Sequence, residues 1–176
     1  METFDFLKLA KKRYACRKYS DRQVEPEKLA RILEAGRVAP TGANRQPQRL
    51  VVVQSKEGME KTGALHARFQ GSDGHRRLRR HLRGVDPQIR RFKMIGDIDA
   101  SIVTDHMMLC AASLGARHAV DLHVQARGRA RGVRAAPARG AVNILLVGYG
   151  DGTPVRSRRH DTQRKPLDET VFHEHF

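Results

Sequence analysis

Residues 97–115 read DIDASIVTDHMMLCAASLG, and the way this stretch folds decides where everything else can go. Ile98, Ile102, Val103, Met107, Met108, Leu109, Ala111 and Ala112 recur at helical spacing. Asp97 or Asp99 offers an acidic start at the positive end of a helix dipole, and Gly115 offers a stop. Apolar residues cover nearly the whole circumference, so the helix from Asp97 to Leu114 is expected inside a core or against a partner subunit.

Outward from that helix, VNILLVGYG (142–150) reads as a buried strand ending in a turn, followed by a polar tail that closes on RKPLDETVFHEHF. On the N-terminal side, Thr3 can cap a first helix running to about Lys12. The polar segment RYACRKYSDRQ (13–23) follows. Pro26 suits a first helical position, and Leu29, Ile32, Leu33 and Ala35 continue a second helix that should stop between Gly36 and Ala39. APTGANRQPQ (39–48) has too many prolines and glycines for regular structure. LVVVQ (50–54) reads as a central strand, apolar on both faces, and Glu57 to Leu65 as a short helix.

At 176 residues the chain is one domain's worth. No apolar run approaches a membrane span, and the charged start ETFDFLKLAKKR lacks the apolar core of a signal peptide. Cys16 and Cys110 match neither a metal spacing nor a disulfide framework, which makes a reducing cytoplasm the expected address. The net charge of +15 suggests nucleic acid, but its distribution argues against that partner: residues 67–93 and 116–140 hold +12 of it, leaving an ordinary near-balanced chain elsewhere. Within those stretches HRRLRRHLRG (75–84) and ARGRARGVRAAPARG (126–140) show no apolar period and could not bury a face.

RYACRKY (13–19), APTGANRQP (39–47), DIDASIVTDHMMLCAASLG and RKPLDE (164–169), in that order and spacing, resemble the nitroreductase family. The family pattern also has a buried A-P-x-V-I-V-V-C strand and, after the long helix, L-G-T-x-W-I with a Phe-Lys-Pro turn. The two basic stretches stand in those places. With suitable synonymous codons, a one-base slip turns residues 68–81 into GFKAPMVIVVCGD and residues 116–126 into LGTRWICTFK, so both stretches read as frame errors.

The resemblance implies a single α+β domain over residues 1–176: a mixed, mainly antiparallel sheet flanked by helices, in an intertwined homodimer with FMN at its interface. It implies electron transfer from NADH or NADPH through FMN to a nitro compound, quinone or similar small-molecule acceptor by a ping-pong mechanism, with no membrane partner and no catalytic side chain or metal. Arg13 and Arg17, with Tyr14 and Ala15 between them, correspond to the family's phosphate-binding segment, where guanidinium forks suit phosphate oxygens. Ala15 departs from the usual Ser. Pro40, Thr41, Gly42, Asn44 and Gln46 correspond to the loop that reaches the flavin across the dimer interface, Gly for close backbone approach and the amides for the ring edge. Arg164 and Lys165 correspond to tail cations that complete the phosphate site.

Without the family context, Arg13 and Arg17 would read as a solvated helix end, and Arg164 and Lys165 as surface. His173 and His175 read as a solvent-exposed tail, His160 with Asp161 as a pair lacking a nucleophile, and Cys110 as inert packing. Two other functions stay open: an arginine-rich nucleic-acid-binding protein, and a family member that binds flavin without turnover.

Overall fold

The computed structural model describes residues 5–59, 87–121, 142–152 and 159–174; of residues 87–93, 159 and 161 it describes the backbone. Residues 68–81 and 122–140, where most of the frame-slip reading falls, lie outside the described residues.

Helix α1 spans Phe6–Lys12. Its cap is Asp5 and not Thr3: the Asp5 carboxylate accepts the Lys8 N–H at 2.9 Å. Aspartate satisfies an otherwise orphaned amide and places a negative charge at the positive end of the helix. Helix α2 spans Pro26–Val38, with Pro26 in the first turn where its missing N–H costs nothing. It stops within the expected stretch from Gly36 to Ala39, and Gly36 itself has a packing role. A Cβ there would lie 2.8 Å from the Met107 sulfur, so glycine lets α2 lie close against the next helix.

That next helix, α3, spans Pro87–Ser113 and begins ten residues before the expected start at Asp97. Pro87 supplies the first-turn residue, and Gly96 is carried within the helix at a modest propensity cost. Residues 87–93 of the first basic stretch therefore form its opening turns. The C-terminus follows the expected stop: Gly115 takes φ 79°, the Ala116 N–H donates to the Ala111 carbonyl at 2.9 Å, and the Gly115 N–H to the Ala112 carbonyl at 3.2 Å. This is a Schellman ending, in which a left-handed glycine lets two orphan carbonyls find donors.

Strand β1 (Arg117–Asp121) pairs antiparallel with β2 (Ile144–Gly148), Ala119 opposite Leu146. Arg117–Asp121, in the second basic stretch, thus supplies a strand as written, with His118 and the preceding Ala116 buried. The core is the seam where α2 and α3 meet this sheet: Ile32, Ala39, Val103, Met107, Ala111 and Ala116, with Leu33, Leu114, Leu145 and Val147 packed against it.

LVVVQ is not a strand. Residues 50–54 have no ladder partner among the described residues, and Leu50, Val51 and Val52 are exposed. A strand exists through its neighbour's hydrogen bonds, so an apolar β-branched run without a paired neighbour stays irregular however well its composition suits a sheet. Backbone at residues 56–59 is helical, where the short helix was expected from Glu57.

Candidate active site

At the end of α1 the chain leaves the helix at Arg13, with φ −69° and ψ 137°, and runs extended along the sheet. The Cys16 N–H donates to the His118 carbonyl at 2.8 Å, and the Ser20 N–H to the Tyr149 carbonyl at 2.8 Å. Side chains alternate in an extended segment, so burying Cys16 on the protein side leaves Arg13, Ala15 and Arg17 on the other. The expected Arg-x-Ala-x-Arg pattern is therefore presented as a strand-like row, not as the end of a helix.

Residues from the far end of the chain meet that row. A short helix, α4 (Arg159–Thr162), brings His160 to the Arg13 carbonyl, Nε2 to oxygen 3.0 Å. Because a carbonyl can accept but not donate, Nε2 carries the proton. Beside this contact lies a cavity of about 520 Å³ lined by Lys11, Arg13, His160 and Arg164, with Asp105 from α3 and an apolar wall of Phe6, Leu7, Met108 and Leu109. Its basic side outweighs one carboxylate, and two guanidinium forks suit an oxyanion better than two ammonium groups would.

Not every expected residue joins this cavity. Arg17 is exposed next to it, and Lys165 makes an exposed ion pair with Glu169 at 3.4 Å. The Tyr14 ring stacks under the Arg117 guanidinium, 4.8 Å from carbon to centroid, and so braces β1. His118, beneath the row, is 2% exposed, and neither ring nitrogen has a hydrogen-bond partner among the described residues. Burial first, then the Arg13 and Arg117 charges, push its pKa down to about 4, which keeps the ring neutral.

The loop from Pro40 to Gln46 stands apart from the cavity. Gly42–Asn44 is one 3-10 turn, and the left-handed residues are Ala43, Asn44 and Gln46, with φ of 50°, 52° and 47°. Gly42 is not among them: a Cβ there would meet its nearest atom, on Ile95, at 3.4 Å, so backbone freedom is not what glycine supplies. Three non-glycine residues in this region each cost of order 1 kcal/mol, a strain that tends to mark ligand-holding segments. The Gly42 N–H donates to the Asp99 carboxylate on α3 at 2.9 Å.

Sequence reasoning missed three residues here. Asp99 reads as a helix start but lies buried several turns into α3. His160 reads as an idle pair with Asp161, because its partner is a backbone carbonyl and backbone carbonyls leave no mark in a sequence. His118 sits in a stretch set aside for its charge.

The nitroreductase family model matches residues 10–84, a span that takes in both the arginine row and the loop. A nitroreductase family protein from Clostridium difficile 630, solved by crystallography, is 35% identical; the superposition covers 98% of this chain and 100% of that one, with a TM-score of 0.76. The chain belongs to the nitroreductase family. A nitroreductase with bound FMN from Desulfitobacterium hafniense DCB-2 shares the fold at 22% identity and a TM-score of 0.68, covering 96% and 97% of the two chains. Among curated relatives, a Methanothermobacter thermautotrophicus protein provisionally named NADH dehydrogenase/NAD(P)H nitroreductase is 29% identical over 111 residues, which is 63% of this chain and 57% of that protein. The chain therefore matches little more than half the length of that relative.

Proposed function

We propose that the protein is an FMN-dependent oxidoreductase that takes electrons from NADH or NADPH and passes them to a nitro compound, quinone or similar small acceptor in a ping-pong cycle. The observation that carries this reading is the meeting of Arg13 and Arg164, from opposite ends of the chain, at one cavity beside the arginine row. The donor set fits a phosphate monoester: planar guanidinium groups, a lysine and a histidine gathered around space large enough for more than the phosphate alone. Arg13, Arg17, Arg164 and Lys165 would hold the phosphate, with Tyr14 and Ala15 shaping the row between the first two. Pro40, Thr41, Gly42, Asn44 and Gln46 would meet the ring. Bound there, FMN supplies the two-electron exchange that these side chains cannot perform themselves. The chain's part is to bind, to orient and to exclude water.

The loop does not line the cation cavity of its own chain, and this agrees with a site shared between two subunits. Met94 and Ile98 on α3 are 57% and 52% exposed, and Phe6 and Leu7 on α1 are exposed as well. Apolar groups of this size on neighbouring helices are a surface to be covered, and a second copy of the chain, in a cytoplasmic homodimer, covers it. Sedimentation at micromolar concentration should find the dimer; a monomer there overturns the shared site.

The flavin reading is tested by purification. The protein should emerge yellow, release about one FMN per subunit on denaturation, as a non-covalently held cofactor does, and oxidise NADH or NADPH with menadione or a nitroarene as acceptor. A folded, colourless protein that takes up no added FMN overturns it. Stoichiometric FMN with no turnover on either nicotinamide would leave a flavin-binding protein and overturn the enzyme.

A further inference from the structure

Asp99 is a buried carboxylate with half of its bonding capacity unused. It is 3% exposed, its Oδ1 accepts the Gly42 N–H at 2.9 Å, and its Oδ2 is buried with no hydrogen-bond partner among the described residues. Among the described residues no ion pair offsets its charge. Such a group costs stability, and an apolar side chain of the same volume would fill the place at lower cost. Something other than packing has to account for it.

The loop it touches is braced within itself. The Asn44 N–H donates to the Thr41 carbonyl at 2.9 Å, the Arg45 N–H to the Gly42 carbonyl at 3.1 Å, and the Gln46 N–H to the Thr41 hydroxyl at 3.1 Å. The Gln46 amide donates to the Asn44 amide oxygen at 3.1 Å. These bonds give the loop a fixed shape with its strained residues locked in. They do not fix where that shape sits on the protein. The Gly42–Asp99 bond does so, tying the turn to α3, the most extensively packed of the described helices.

We propose that Asp99 is a positioning residue for the loop, setting where the Asn44 and Gln46 amides stand relative to the bound ring. This rests on the flavin reading above and deepens it. The charge makes the bond to Gly42 stronger than a neutral acceptor could, and among the described residues no other donor reaches Oδ1, which keeps it for the loop. The Gly42 N–H is then engaged with α3, a different role from the ring approach that the motif suggests.

The test compares full-length Asp99→Asn and Asp99→Ala with the parent. Amide exchange at Gly42 is read first, in flavin-free protein, and should speed up in Asp99→Ala. Affinity is then measured for FMN and for riboflavin, which has the ring without the phosphate. Losing a charge-assisted bond should weaken both ligands by the same factor, roughly ten- to a hundredfold in Asp99→Ala and less in Asp99→Asn. Thermal midpoints should hold or rise, because the unpaired buried charge is gone. Weakening of FMN with riboflavin unchanged, or unchanged Gly42 exchange in Asp99→Ala, overturns the proposal. Should Asp99→Ala fail to fold, the same comparison in Asp99→Asn decides. A parent that binds neither ligand would overturn the flavin reading itself, whereas a parent that binds both with variants that match it removes Asp99 alone.

Discussion

The cation end gathers Arg13, His160 and Arg164 from the two ends of the chain, whereas the loop from Thr41 to Gln46 is held mainly by bonds among its own six residues. The first is a tertiary construction: it exists once α1, α4 and the extended row have docked, and it works through charge. The second is a local construction whose shape is set by turn chemistry, and it works through directional hydrogen bonds. Both lean on α3, through Asp105 at one and Asp99 at the other, roughly 9 Å apart along the helix axis. In the proposed flavin site, binding strength and binding geometry would thus be lodged in different parts of the molecule, and each could be broken without the other.

The largest expected effect falls on the charged end. Replacing Arg13 and Arg17 together with Ala removes several charge-assisted bonds worth roughly 1.5–3 kcal/mol each, so FMN affinity should fall by about a hundredfold or more. Riboflavin, lacking the phosphate, should lose little. Titration of flavin fluorescence quenching against each ligand checks both halves of this statement. Equal losses for the two flavins would place the phosphate elsewhere and dissolve the contrast between the ends.

A second substitution strikes what the two regions share. Gly36→Val puts a branched side chain where even a Cβ comes within 2.8 Å of Met107, in the seam between α2 and α3. Overpacking of this kind costs about 1–3 kcal/mol, so the melting temperature should drop by several degrees. Since the strain spreads along α3, FMN and riboflavin should weaken together and modestly. A variant as stable as the parent would mean that the seam relaxes freely and cannot be the common support.

How much of this the sequence discloses follows the same division. Local signals are plain: Pro26 opens α2, Gly115 closes α3, VNILLVG carries β2, and the turn-rich 39–48 segment is irregular, all from rules a few residues long. Nonlocal matters are not. Leu50 to Gln54 has the composition of a central strand, yet a strand depends on a neighbour that composition does not name. Helix α2 stops at Val38, within the expected stretch from Gly36 to Ala39, but the Met107 packed against Gly36 is invisible in the sequence. For the proposed site, the resemblance nominates the motif residues, and the structure brings Arg13 and Arg164 of them to one cavity. The groups that hold them, His160 on a carbonyl and Asp99 on an amide, contact backbone and so write nothing into the pattern.

The smallest effect concerns His118, the neutral ring beneath the arginine row. Its pKa in the folded protein lies near 4, against about 6.5 for an unperturbed histidine. Between those values the unfolded chain binds a proton that the folded one refuses, so stability rises with pH across the window. Above about pH 6.5 the ring is neutral in both states and contributes no slope; as pH falls from there toward 4, stability is lost progressively. His118→Gln keeps a polar side chain of similar size without a titrating group, and it should flatten that limb of the thermal-midpoint profile while leaving the neutral-pH midpoint nearly in place. The comparison between the two ends enters through the second cause of the shift. Burial matters most and is fixed by the fold, whereas the Arg13 charge, which comes next, can be neutralised. Millimolar inorganic phosphate at the arginine row should therefore make the ring somewhat easier to protonate and soften the acid limb of the parent, with no such change in His118→Gln. If phosphate alters the acid limb equally in both proteins, the ring does not sense the cation end, and His118 is simply a buried histidine of the sheet.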